Sequence, residues 1–396
     1  MVTSPHRNLY LLIPALLMIV ACVLWGLLGV ANERTKEDLF LESSITTAFL
    51  RLFFASITSF LFCILFIIID IKRWHMGLWK ITKRYLKIKL GFLIILGFLG
   101  FTLSIPLYFI GFDVVGIAIN SIIGLGIYPA LVFLLKNYKK IGNLSSLREN
   151  TLSLVSLFLL FLAYFLGFYI YLGNFTLDTL IRGVLATPTL FAISWAMYVY
   201  LLGKLEVDRF LKEESMRNMR SYIYMSMAIL TITMFAGSVF LLLIMYFIKS
   251  LNIAIYPPLT SYANFLTQEL EDFIKRPSYL FKLSFFVLFF VCTFVAYLIY
   301  YFSTFLANEY YKPYKVEGSD VFSIVQFVEA ITGIVTAINI TRAKEMQKIK
   351  VPEAEIFIYI WTAIILFLSA LVLYLISLFV EKSLTKGLRK ARALRV

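Results

Sequence analysis

The sequence predicts an all-α membrane protein of ten transmembrane helices, arranged as two inverted five-helix repeats. Composition is the first reason: of 396 residues, 61% are apolar and 15% charged, with a mean hydropathy of +0.87. An ordinary globular domain carries about 25% charge, so this chain has too little to cover a surface facing water. The second reason is spacing. Apolar stretches recur near 9–30, 46–69, 90–110, 114–135, 152–172, 184–202, 221–248, 283–306, 321–340 and 356–380, and about 20 such residues span a ~30 Å hydrocarbon core. They lack the alternating polarity of a barrel strand, so helices are expected. The third reason is a repeated Ala/Ile-rich turn ending in Trp: Cys22-Val-Leu-Trp25-Gly26 in the first stretch and Ala192-Ile-Ser-Trp195-Ala196 in the sixth. A unit that crosses a bilayer five times must sit upside down relative to its twin, with a site near the midplane where the halves meet.

The net charge of +14 is explained by where the cations fall. With the N-terminus inside, cytoplasmic segments hold 25 Lys and Arg and external ones 11, with Arg51 inside the second span. The positive-inside rule puts both termini in the cytoplasm of a multi-pass cell-membrane protein and accounts for the charge without a nucleic-acid partner. The densest run, Lys72 to Lys89 with Trp74 and Trp79, is expected along the anionic inner leaflet.

In chain order, the first stretch follows a short tail with Arg7, is too long for a signal-peptide core and lacks a small-x-small cleavage signal, so it is read as a retained span. Cys22, Cys63 and Cys292 all lie in apolar spans and read as packing residues rather than disulfides. Arg51, near the outer end of span two, reads as an interface anchor whose stem snorkels, with an outer gate or anionic-substrate funnel as the other reading. Gly26-Leu-Leu-Gly29 and Gly97-Phe-Leu-Gly100 lack GxxxG spacing and read as loosened packing and flex points.

Matching Trp25 to Trp195 gives an offset of 170 residues, whereas matching Tyr128-Pro129 to Glu329-Ala330 gives 201. The difference is an extra external segment at 250–282. It contains Pro257-Pro258, a helix cap at Thr260 or Ser261, and Phe265, Leu266, Leu270, Phe273 and Ile274 on one side of a short amphipathic helix that stops before Pro277. An interfacial helix or a lid over the outer mouth would both fit. The chain thus divides into a first repeat at 1–172, a second at 173–380 that carries the insertion, and a basic cytoplasmic tail at 381–396.

Trp25-Gly26, Leu50-Arg51-Leu52-Phe53, Gly97-Phe98-Leu99-Gly100 with Leu107-Tyr108-Phe109, and Pro129 late in span four resemble the EamA-type ten-span branch of the drug/metabolite transporter superfamily. Gly183-Val184-Leu185-Ala186, Trp195-Ala196 and Glu329 repeat the pattern in the second half. Two features depart from it: Ala330 stands where the family favours proline, and the Gly-Glu pair that commonly closes spans four and nine is missing. The resemblance implies a secondary active transporter that moves a small organic metabolite or drug by alternating access, with spans five and ten peripheral to the cavity.

Polar side chains in lipid turn inward, so their clustering marks a bundle interior. Span six carries Thr187, Phe191, Ser194 and Tyr198 at helical spacing with Trp195 beside them, and span eight carries Thr293, Tyr297, Tyr300 and Thr304. In span nine, Gln326, Glu329, Gly333 and Thr336 fall within an arc of about 80°, and span four offers Asn120 between Gly116 and Gly124. Helix–helix hydrogen bonding is the simpler reading of any one stripe. Trp25, Asn120, Trp195, Tyr198, Tyr297, Tyr300 and Gln326 are the expected cavity residues. Glu329 is the only carboxylate well inside a span; counted from Val321 it lies about 12 Å along a helix, near the midplane. It is expected to couple transport to protons, the alternative being a protonated structural acid.

The only histidines, His6 and His75, lie outside the spans, and there is no GxxxxGK[ST] loop or membrane-face carboxylate pair. Bis-His haem, Ser-His chemistry, ATP hydrolysis by a phosphate loop and Mg²⁺-dependent transfer thus have no residues to perform them. The expectation is a non-enzyme without metal or cofactor whose partners are a small-molecule substrate and membrane lipid, a homodimer being left open. The alternatives are a flippase for a lipid-linked or amphipathic substrate and a non-transporting membrane scaffold or sensor.

Overall fold

The computed structural model describes residues 5–141, 151–173, 187–214, 218–251, 257–310, 321–322, 325–340, 351 and 353–376. All regular structure among them is helical. Helices α1 (Pro5–Gly26) and α2 (Leu28–Leu39) form one rod broken at Leu27, and α3 (Ser44–Ile69) forms the second. The third rod joins α4 (Leu78–Gly97), a π-helical turn (Phe98–Ser104) and α5 (Ile105–Val115). Then come α6 (Ile117–Ile141), α7 (Thr151–Leu172), α8 (Thr187–Leu202), the short α9 (Val207–Glu213) and α10 (Met219–Leu251). After α11 (Pro257–Lys275), another rod joins α12 (Leu283–Phe286), the second π-helical turn that lies inside a rod (Val287–Val295) and α13 (Ala296–Tyr310), while a further π-helical turn, Asp70–Trp74, ends the second rod. Finally α14 (Phe327–Ile340) and α15 (Glu353–Ile376) follow. Among the described residues seven rods are long and apolar enough to cross a membrane, and three shorter apolar helices, Ile117–Val132, Phe327–Ile340 and Glu355–Ala370, accompany them. The chain is a helical multi-pass membrane protein.

Its surface is inverted relative to that of a water-soluble domain. Phe60, Leu61, Phe158, Leu243 and Trp361 are exposed, whereas Asn32, Arg51, Asn120, Gln326 and Glu329 are buried. Lipid solvates the former and penalises the latter unless they turn inward. Between the two halves of the chain, α1 packs on α13 and α14, α8 on α5, α6 and the first π turn, and α3 on α10 and the second π turn. In addition α4 packs on α10, α6 on α14, and α7 on α15.

Helix ends follow local chemistry. The Ser43 side chain accepts from the Ile45 amide at 3.2 Å and caps α3, and Asp70 accepts from the Met76 and Leu78 amides, each at 2.8 Å, to hold the turn after it. Between α5 and α6 a single residue, Gly116 at φ +89°, reverses the chain, a conformation that side chains with a Cβ rarely adopt.

Two sequence expectations are corrected here. The glycine pairs are not loose points. A Cβ on Gly97 would stand 2.5 Å from the Thr233 carbonyl oxygen, and one on Gly29 2.5 Å from Ile117, so these glycines mark close helix contacts. Helix α11 begins at Pro257, which puts Thr260 and Ser261 inside it and not at its cap. A proline in the first turn costs nothing, since the missing amide would have had no partner.

Helix α11 docks on α3 and α10, burying Ala263, Leu266 and Phe273 while Ile274 stays exposed. Glu269 secures it: the carboxylate accepts from the Glu42 amide at 2.5 Å, the Ser43 amide at 3.2 Å and the Thr46 hydroxyl. Burial pushes this carboxyl above its ordinary value despite those donors. A carboxyl raised on docking favours the docked state fully below its free pKa, and the contribution fades as pH rises through the shifted value. A Cys at Ala263, compared with one at exposed Asn264, should therefore react faster with a thiol reagent as pH rises from about 5 to about 8. Glu269→Gln should flatten that dependence and Glu269→Ala should expose the site throughout; an unchanged profile in Glu269→Gln would contradict the assignment.

Candidate functional site

At the centre of the bundle, aromatic side chains from distant parts of the chain meet. The Trp25 ring lies 4.7 Å from Tyr297, 5.2 Å from Tyr300 and 6.1 Å from Trp195, edge on in each case. Trp195 stacks on Tyr198 at 4.7 Å, and the Tyr198 and Tyr301 hydroxyls are 2.6 Å apart. Phe101, carried by the first π turn, closes on Tyr297 at 5.2 Å. Helical spacing brings Trp195 and Tyr198 to one side of α8, and Tyr297 and Tyr300 to one side of α13. Gly26 and Gly100 let the backbones in: a Cβ on Gly26 would stand 3.0 Å from the Glu329 carbonyl oxygen, and one on Gly100 would strike the Tyr198 ring at 2.5 Å.

Two ionisable side chains face this aromatic centre. Glu329, only 4% exposed, accepts from Gln326 Nε2 at 3.0 Å. It sits in the first turn of α14, which begins at Phe327. Glu329 thus follows a turn at Gln326, across which the Gln326 amide donates to the Phe322 carbonyl at 2.9 Å. Arg51 is fully buried, with its guanidinium 4.4 Å above the Phe109 ring and within electrostatic reach of Tyr297, Cys292, Tyr108 and Glu329. Interface anchoring by snorkelling is thereby overturned, because a side chain with no exposed surface reaches no interface.

Of the seven expected cavity residues, Trp25, Trp195, Tyr198, Tyr297 and Tyr300 converge, and Gln326 joins them through Glu329. Asn120 behaves differently: its Nδ2 donates to the Tyr108 carbonyl at 3.1 Å, tying α6 to α5. The sequence offered Arg51 as an interface anchor, an outer gate or an anionic-substrate funnel and Tyr108 only as part of a motif, and pointed to neither as a neighbour of Glu329. A signal was available, since Ser44, Thr47 and Arg51 recur at i, i+3 and i+7 on α3. Asn32 donates to Ser44 Oγ at 2.9 Å and accepts from Thr47, so the first two are tied to α2.

Above this layer Lys36 bonds to Asp113 at 2.7 Å, and Ser44 Oγ donates to the same carboxylate at 2.7 Å. A cleft of about 490 Å³ opens beside them, lined by Glu33, Lys36, Glu42, Asp113, Ser261 and Phe265 among others. The three cysteines are free and buried, and among the described residues no group of His, Cys, Asp or Glu could hold a metal ion. The 381–396 tail and the 183–186 motif lie outside the described residues. No family model, curated protein or solved structure matches the chain.

Proposed function

We propose that this chain is a secondary active transporter of a small organic solute, built as two inverted five-helix repeats and coupled to protons through Glu329. The observation that carries the reading is the convergence of Trp25, Trp195 and Tyr297, from the first, sixth and eighth expected spans, beside a carboxylate and a guanidinium held out of water. Buried ionisable groups inside a membrane domain are costly and mark substrate or ion pathways.

The packing pattern supports the repeat. Exchanging the halves pairs the rod α1/α2 with α8, α3 with α10, the α4/α5 rod with the α12/α13 rod, α6 with α14 and α7 with α15. Under that exchange the contacts of α1 with α13 and α14 become those of α8 with the third rod and α6, while α3 with α10, α6 with α14 and α7 with α15 map onto themselves. The third rod of each half also carries a π-helical turn, a device common at functional sites. Five crossings per half then make the halves antiparallel, the design in which alternating access proceeds by rocking one half against the other. The short sequence motifs that resemble EamA-type transporters agree with this reading.

Reconstitution into proteoliposomes and uptake of a labelled metabolite panel, against protein-free vesicles, tests transport itself. Orientation has its own test: an impermeant maleimide applied to intact cells should label a Cys at Lys275 but not one at Lys83, both exposed positions. The reverse pattern would invert the assignment, and labelling of both or neither would break the ten-span topology.

A further inference from the structure

Arg51 presents an unmet demand. Its Nε and both Nη atoms are buried and make no well-formed hydrogen bond, the Tyr297 hydroxyl lying close enough for a loose one, although a guanidinium carries five donors. Stacking on Phe109 at 4.4 Å satisfies a ring face and none of those N–H groups. Burying an unpaired charge costs several kcal/mol, and chains normally retain one only where something else pairs it. Two more orphan donors stand in the adjoining aromatic centre, Trp25 Nε1 and Trp195 Nε1, and the Tyr300 hydroxyl is unpartnered too. Tyr297 connects the two regions, touching Trp25 and Trp195 through its ring and lying within electrostatic reach of Arg51.

We propose that Arg51 binds the carboxylate of a small organic acid whose apolar or aromatic body packs among Trp25, Trp195 and Tyr297. The missing partners of this site are acceptors, because the unpartnered groups are mainly donors. Arg51 is the only cation among the buried described residues, so the charge match is to a monoanion; a phosphate monoester would bring a second negative charge with no cation to meet it. The planar fork of the guanidinium suits a carboxylate by two parallel hydrogen bonds. The groups facing the guanidinium are Tyr108 of α5, Cys292 of the second π turn, Tyr297 of α13 and Glu329 of α14. Among these Glu329 alone is a carboxylate. Ionised, it competes with the ligand for the positive field; protonated, it releases Arg51 to the incoming acid. Proton and anion therefore load together, by the reciprocity that any coupling between two sites obeys. This assignment rests on the transporter reading only for its role in transport; the binding site itself can be tested separately.

The probes are acetate, benzoate and indole-3-acetate, each paired with its neutral amide, titrated by tryptophan fluorescence and thermal shift on the purified full chain. At least one acid should bind the wild type about tenfold or more tightly than its amide, the preference expected of charge-assisted hydrogen bonds. That preference should grow as pH falls from about 8 to about 5.5 with uptake of one proton per anion. Glu329→Gln should remove the pH dependence and keep the acid preference. Arg51→Gln should abolish the preference. If no acid outbinds its amide on the wild type, or the preference survives in a folded Arg51→Gln protein, the proposal is wrong; the wild-type titration decides even if that variant does not fold. Solute flux without acid binding would overturn the Arg51 site and leave the transporter reading standing. Acid binding without flux of any solute would do the opposite.

Discussion

Glu329→Gln is expected to abolish proton-driven accumulation while the protein still folds and still exchanges substrate across the membrane. Glutamine has the same shape and retains a carbonyl that can accept from Gln326 Nε2, the partner seen at 3.0 Å, so local packing around α14 is preserved. What disappears is the exchangeable proton. Without it no free energy passes from the proton gradient to the solute, and the ratio of inside to outside solute in energised vesicles falls to about one. Counterflow, in which labelled solute enters vesicles loaded with unlabelled solute, needs no gradient and should persist. Full accumulation by the Gln variant at every pH between about 5 and about 8 would reduce Glu329 to a buried structural acid. Loss of counterflow together with accumulation would assign the carboxylate to direct substrate contact instead.

The helices and the aromatic centre were legible in the sequence because both follow from periodicity. Residues at i, i+3, i+4 and i+7 share a helix face whatever the surroundings, and in lipid the polar face has only one direction to point. Trp195 with Tyr198, and Tyr297 with Tyr300, were therefore readable from spacing alone, whereas the Trp25 match to Trp195 spoke only for a repeat. Arg51 was not readable in this way. A cation a few residues inside an apolar run looks the same whether its stem snorkels or its head is buried. Phe109 and Glu329, which decide between these, lie 58 and 278 positions away. Glu269 was missed for a related reason: on an amphipathic helix a carboxylate reads as solvated, and the amides it accepts from belong to Glu42 and Ser43, far off in the chain.

The π turns left no trace in the pattern of apolar residues, since one extra residue in a uniformly apolar run changes no periodicity that a polar residue would mark. Their backbone consequence is visible only in the structure, where the Ser104 and Thr293 hydroxyls donate to carbonyls five residues back, at 2.7 Å in each case. The wrong reading of the glycine pairs has the same origin. Without its neighbours a glycine advertises flexibility, and whether the missing side chain serves motion or close approach depends on what lies opposite.

That distinction gives the second large expected effect. Gly97→Ala should destabilise the protein, whereas Gly91→Ala, two turns earlier on the same helix, should be neutral or slightly stabilising. At Gly91 an added Cβ meets nothing within 4 Å, so the change only improves helix propensity, by up to about 1 kcal/mol. At Gly97 the same methyl group would stand 2.5 Å from the Thr233 carbonyl oxygen and 3.1 Å from the Ala236 Cβ. The obstacle is backbone, which cannot rotate aside as a side chain can, so α4 and α10 must separate; overpacking of this kind costs about 1–3 kcal/mol. Separation would also carry off the bond from the Thr102 hydroxyl to the Gly237 carbonyl, 2.9 Å long, and would move Phe101 away from Tyr297. Small residues that let helices approach closely are a main source of association inside a bilayer, where burial of apolar surface supplies no driving force. Thermal unfolding in detergent, followed by a fluorescent thiol probe on the buried cysteines, should show Gly97→Ala unfolding at clearly lower temperature than Gly91→Ala. Equal transitions for the two variants would mean that α4 and α10 do not cross at Gly97, and the close approach that brings the third rod against the aromatic centre would have to be abandoned.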